Sequence, residues 1–222
     1  VIDAVGAQPS LAGGLLAAAG SLPSGTTDNV RLTILGILLQ AVGLPSQYPQ
    51  AQFCLWLRSQ GHYDRVRSAV EAAGKVFDRE LNNLYVSGPI ARAVILCDAN
   101  FAKNEAEARQ VLKAQFPPQT TDITTEAFLR TAKAALLMAG RDGRLPCTVL
   151  ILDEAQQFIG QSTDRSVLVT EVAEAASKQL ESHVMVVAAG QSALTDQQLL
   201  QKMLDRFTIR VPLSDADVET VT

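Results

Sequence analysis

Histidine, cysteine and aromatic residues are scarce in this chain, with two His, three Cys and 5% Phe, Trp and Tyr among 222 residues. Neither His62 nor His183 has a second ligand at metal-binding spacing, and no Ser-His-Asp or Cys-His arrangement can be read. Cys54, Cys97 and Cys147 are scattered, with no Cys-x-x-Cys pair. Reduced, buried thiols in a cytoplasmic protein are therefore expected rather than a disulfide framework. No apolar run reaches about 18 residues, so no membrane span is expected. Residues 11–19 are apolar, but they are few, contain Gly13 and Gly14, and follow no basic stretch, which argues against a signal peptide. Charge bias is lacking too. Nineteen basic and 23 acidic residues give a net charge of −4, with no general attraction to nucleic acid or an anionic membrane. The chain opens at Val1 without an initiator Met, and Ser214 with Asp217 reads as a capping box for a helix not completed by Thr222. A piece of a longer protein is expected.

What is present is apolar residues, at 47%, enough for one large domain or a domain with a sizeable insertion. The organising stretch is Cys147-Thr148-Val149-Leu150-Ile151-Leu152-Asp153-Glu154. It is short, apolar and β-branched, follows Gly143 and Pro146, and ends in two adjacent acids. It reads as a strand buried on both faces. Residues 14–19 read as another buried strand. Its following loop shows the frame Gly20-x-x-x-x-Gly25-Thr26-Thr27 without the lysine that a phosphate-binding loop requires, and is read as a plain strand-to-helix turn.

From about 28 to 139 the pattern is helix after helix. A helix capped by Thr27 or Asp28 runs to Gly43, and others cover 50–60, 63–73, 76–86, 90–98, 105–115 and 125–139. Tyr48, Phe53, Trp56 and Tyr63 read as helical core. Beyond Glu154 a helix begins at Thr163 or Asp164, with Leu168, Val172, Ala176 and Leu180 on one face. A second buried strand covers 184–189, a capping box of Thr195 and Gln198 opens a helix to Asp205, and 207–211 alternates as a strand. Strand and helix in alternation imply a parallel sheet with right-handed crossovers.

Asp153 and Glu154 therefore stand at the carboxyl end of a parallel strand, where open α/β sheets place their ligands. This is the Walker B pattern: Asp153 near Mg²⁺ through water, Glu154 orienting the attacking water. Gln191, ahead of Ser192, follows the next strand, where a polar side chain can reach the γ-phosphate or its water. Arg206 ends the 195–205 helix and is a candidate arginine finger. Arg210, mid-strand, is a weaker one.

The segment from Val149 to the end resembles the second half of an AAA+-type P-loop ATPase core. More narrowly, Asp153-Glu154-Ala155-Gln156-Gln157-Phe158-Ile159-Gly160, and Arg206-Phe207 with Leu213-Ser214, resemble the large P-loop protein of bacterial BREX phage-defence systems, the BrxC/PglY family. The resemblance covers about 149–215 and extends more weakly to 14–28. It implies ATP and Mg²⁺ as cofactors, self-association, and a place in a complex that restricts phage DNA. A DNA methyltransferase and a phosphatase-like protein are the implied partners, with an indirect encounter with DNA compatible with the resemblance. The expected architecture is α/β: a partial parallel P-loop NTPase sheet with a large all-helical insertion between two core strands. Its parts are core strand and loop at 1–28, helical insertion at 29–140, and core again at 141–222. One departure stands out, because no Gly-x-x-x-x-Gly-Lys-[Ser/Thr] occurs. In the family that loop would precede Val1, so little or no ATP binding is expected of this chain alone. The rival reading is a non-hydrolysing scaffold or regulatory module acting through its helices.

Overall fold

The computed structural model describes residues 12–22, 30–159, 162–189 and 209, with the side chains of residues 156, 157 and 163 excepted. Three strands, β1 (Leu15–Ser21), β2 (Cys147–Asp153) and β3 (Val184–Ala188), form a parallel sheet in the order β1-β2-β3. The register pairs Leu15 with Cys147 and Ser21 with Asp153 on one side, and Thr148 with Val184 and Leu152 with Ala188 on the other.

The run between β1 and β2 is helical, as its 3.6-residue periodicity requires. It comprises α1 (Val30–Ala41), α2 (Tyr48–Ser59), α3 (Tyr63–Ala72), α4 (Phe77–Asn82), α5 (Gly88–Cys97), α6 (Glu105–Gln115) and α7 (Thr125–Ala139). Side-chain caps start three of them. Ser87 accepts from the Ile90 amide, Asn104 from that of Glu107 and Thr124 from that of Ala127. Each satisfies an amide that would otherwise have no partner in the first turn. Between β2 and β3 lie α8 (Ala155–Ile159) and α9 (Thr163–Gln179).

Helix α1 packs on β1 and α9 on β3, and α7 packs against both of these helices, while α2 to α6 build outward from them. Both connections step the same way across the sheet, so right-handed crossovers put both helical layers on one face. That face is made by Leu16, Ala18, Gly20, Thr148, Leu150, Leu152, Val184 and Val186. Ala18, Leu150 and Leu152 have at most 1% of their surface exposed. Gly20 is needed there, because a β-carbon on it would lie 2.8 Å from Cγ1 of Ile37 on α1. One continuous apolar core joins this face to α1, α7 and α9 and runs on to Phe53, Leu57, Val66 and Ile90 in the outer helices.

The expectation that the strands are buried on both faces is corrected. Leu15, Ala17 and Ala19 are exposed, Val149 and Ile151 are half-buried, and Met185 and Val187 are 58% and 38% exposed. The physical reason is the shared direction of the two crossovers, which leaves the second face without a helix among the described residues. Helix bounds also differ in places. The 76–86 helix stops at Asn82, because the amides of Val86 and Ser87 turn back to the Asn83 carbonyl. The 50–60 helix starts at Tyr48, with Pro49 in its first turn. The helix expected from Thr163 or Asp164 does begin at Thr163, with Ser162 as its cap. The cap expected at Thr27 or Asp28, the helix at 195–205 and the strand at 207–211 lie outside the described residues, Ile209 aside.

Candidate functional site at the carboxyl end of the sheet

Among the described residues β2 lies between the other two strands, and its last residues are held from both sides. The Leu22 amide donates to the Asp153 carbonyl at 3.0 Å, and the Ala189 amide donates to the Leu152 carbonyl at 2.9 Å. The backbone at Leu152 and Asp153 is therefore fixed, while the Asp153 side chain projects into solvent on the uncovered side of the pleat. One of its oxygens, Oδ1, accepts from the Glu154 amide at 2.8 Å. The other remains for a ligand or its water.

Glu154 turns the chain from strand to helix within one residue. Its φ is +55°, in the left-handed region that a residue with a β-carbon enters only at a cost of about 1–2 kcal/mol. Helix α8 follows at once, with the Phe158 amide donating to the Glu154 carbonyl at 3.2 Å. Ala155, Phe158 and Ile159 are buried and anchor this short helix to the core. Arg165 of α9 reinforces it, because its guanidinium lies 4.9 Å from the Phe158 ring centre and donates to the Phe158 carbonyl at 2.8 Å. The strained turn is thus clamped by a buried strand before it and an anchored helix after it. It holds both carboxylates exposed at the sheet's carboxyl edge. Residues kept in such conformations gather at functional sites, where the surroundings over-determine them.

Of the sequence-derived site residues, Asp153 and Glu154 are brought together here. Gln191, Ser192, Arg206 and Arg210 lie outside the described residues. The chain leaves β3 at Ala189, held beside Leu152, at the same end of the sheet as the acids. Sequence reading missed the left-handed turn at Glu154, which has no compositional signal because glutamate is not a typical left-handed residue. It also missed α8, too short to show a periodicity.

The two carboxylates suit a hydrated Mg²⁺, which keeps several waters and takes only one or two protein carboxylates. Among the described residues no group of three or more His, Cys, Asp or Glu is clustered to hold a metal. The phosphate half of an ATP site fits less well, because the sequence holds no glycine-rich loop ending in lysine. Among the described residues no helix is long and apolar enough to cross a membrane. Comparison of the chain with protein-family models, curated proteins and solved structures found no match.

Proposed function

We propose that this chain carries the acid-bearing half of an AAA+-type P-loop ATPase core like that of the BREX phage-defence proteins it resembles. In this reading ATP hydrolysis drives assembly or remodelling of a complex that restricts phage DNA. The observation that supports it best is the pair Asp153-Glu154 at the carboxyl end of the central parallel strand, with Glu154 clamped in a left-handed turn. Mg²⁺, when bound, neutralises charge on the phosphates. Asp153 would hold the ion's water shell through the carboxylate oxygen that does not accept from the Glu154 amide. Glu154 orients a water and takes up its proton, a role that requires an exposed carboxylate held in one place. Gln191 and Ser192 are proposed as contacts to the γ-phosphate or that water, and Arg206, ahead of Arg210, as the group reaching a neighbouring subunit. The partners remain those of the resemblance: further copies of the protein, a DNA methyltransferase and a phosphatase-like protein.

The test is ATP turnover by the full-length protein containing this sequence, compared with its Glu154→Gln variant. The swap keeps size and removes the base, so turnover should fall about 10²–10⁴-fold while nucleotide binding persists. Equal turnover in the two proteins removes the role given to Glu154. The 222-residue chain alone should show no saturable ATP uptake by calorimetry.

A further inference from the structure

The outer helices hold a feature that the nucleotide chemistry does not use. A cleft of about 610 Å³ lies between α2, α7 and the segment 115–120. One wall is aromatic. Trp56 is half-buried, with its ring 6.1 Å from Phe53, 6.0 Å from Phe116 and 5.6 Å from Phe101, so the indole is braced from behind and presents its remaining surface to the cleft. Tyr48, about two helical turns away on α2, extends that wall. The polar groups of the lining are largely committed elsewhere. Gln52 donates to Thr131 Oγ1 at 2.6 Å, Thr131 to the Ala127 carbonyl at 2.8 Å and Ser59 to the Trp56 carbonyl at 2.8 Å.

Charge is distributed one way. The lining contains a single charged residue, Arg130, and no carboxylate, in a chain whose net charge is −4. Arg130 is exposed, and among the described residues it forms no ion pair and no hydrogen bond. A cation left without a partner beside a braced aromatic wall is complementary to an apolar group followed by a carboxylate. From Tyr48 to Ser59 the wall rises about 16 Å at 1.5 Å per residue, the span of about five extended residues at 3.3 Å each. The cleft opens to solvent rather than closing around its volume, which suits a chain lying in it better than a small molecule enclosed on all sides.

We infer that this cleft is a docking groove for an extended peptide segment of a partner protein, with apolar side chains on Trp56 and Tyr48 and an acidic side chain on Arg130. The groove needs no nucleotide and stands whether or not the acid pair hydrolyses one.

Trp56 is the only tryptophan, so its emission reports on this groove. Two pools of capped six-residue peptides would be titrated against the 222-residue chain. Both are built from Leu, Phe, Tyr and Pro, one with Asp or Glu at two positions and the other with Asn or Gln there. The acidic pool should shift Trp56 emission saturably. The amide pool should bind about fivefold more weakly, the scale of one partly exposed charge pair. Arg130→Gln should bind both pools alike, and Ala134→Glu, at the exposed rim, should abolish the response to the acidic pool. Circular dichroism checks that both variants are folded. The inference is overturned if the acidic pool gives no saturable change at millimolar concentration, or if wild type binds both pools equally. It is also overturned if indole-3-acetate saturates the signal where the peptides do not, which would make the cleft a small-molecule site.

Discussion

Cys54 gives a prediction with a magnitude. It lies in α2 with no exposed surface, and burial pushes its thiol from 9.0 up to about 12, with Arg58 pulling slightly back and Asp78 adding slightly. The folded-state value is raised, so the stabilising difference is complete below about pH 9 and is lost as pH climbs toward 12. Above pH 9 the unfolded chain releases this proton and the folded chain does not. At pH 10 the unfolded thiol is about ten to one ionised, which costs about 1.4 kcal/mol of stability. The limit, three pH units at about 1.36 kcal/mol each, is about 4 kcal/mol. With a urea slope of about 2–3 kcal/mol per molar, the midpoint should fall by roughly 0.5 M between pH 8 and pH 10 from this group alone. Cys97, Tyr63 and Tyr85 are also raised by burial and act in the same direction, so the readout is the difference between wild type and Cys54→Ala. Cys54→Ala lowers the curve at neutral pH, where the buried sulfur's packing is lost, and flattens its alkaline descent by that amount. In parallel, Cys54 should resist a thiol-specific disulfide reagent in the native state and react once the chain is unfolded. Equal alkaline slopes in the two proteins, or fast labelling of Cys54 in the folded one, would refute the reasoning.

Glu154→Gly should leave the urea midpoint nearly unchanged, because relief of about 1 kcal/mol of left-handed strain is offset by the larger unfolded-state entropy of glycine. Glu154→Val, β-branched at the same φ, should be less stable than the glycine variant by more than about 1 kcal/mol, and denaturant melts of the pair measure the gap. At the surface, a hydrogen bond and the charge of Lys133, 2.9 Å away, hold Glu181 below the usual carboxylate range. That contribution is present at neutral pH and is lost as pH falls through the carboxylate range. Lys133→Ala should therefore show a shallower acid descent than wild type, and added salt should shrink the difference.

The features legible in the sequence are those written in local chemistry. Asn104, two acids in the first turn and Pro117-Pro118 just past the end fix α6 at Glu105–Gln115. The β-branched run after Pro146 fixes β2 from Cys147 onward. What was not legible depends on tertiary geometry. Val76 to Val86 is apolar enough to continue as a helix, but Ser87 is taken up in capping α5 and in a 2.6 Å bond to Glu80, which ends α4 early. Which face of β1 is covered depends on where β2 and β3 sit, and no period-2 pattern in an alanine-rich strand reveals it. At the site, the position of the two acids follows from the strand's end. The sign of φ at Glu154 arises from the anchoring of Phe158 and Ile159, which no spacing of residues announces.

The separation of β1 from β2 has a consequence for the order in which the molecule assembles. The two strands pair in full register, yet the 125 residues from 22 to 146 lie between Ser21 and Cys147. Closing a flexible loop of that length carries a length-dependent entropic cost of about 4 kcal/mol, and the reward, the strand pairing, comes only afterwards. The helices between them rely on nearer contacts, such as α3 with α5 and α5 with α6. Once condensed, they shorten the gap from a long coil to the spacing between α1 and α7. The helical lobe therefore acts as a folding jig that brings the ends of its own segment together. By the same reasoning the acid-bearing tip of β2, which requires Leu22 on one side and Ala189 on the other, should take its shape after the helical lobe has condensed.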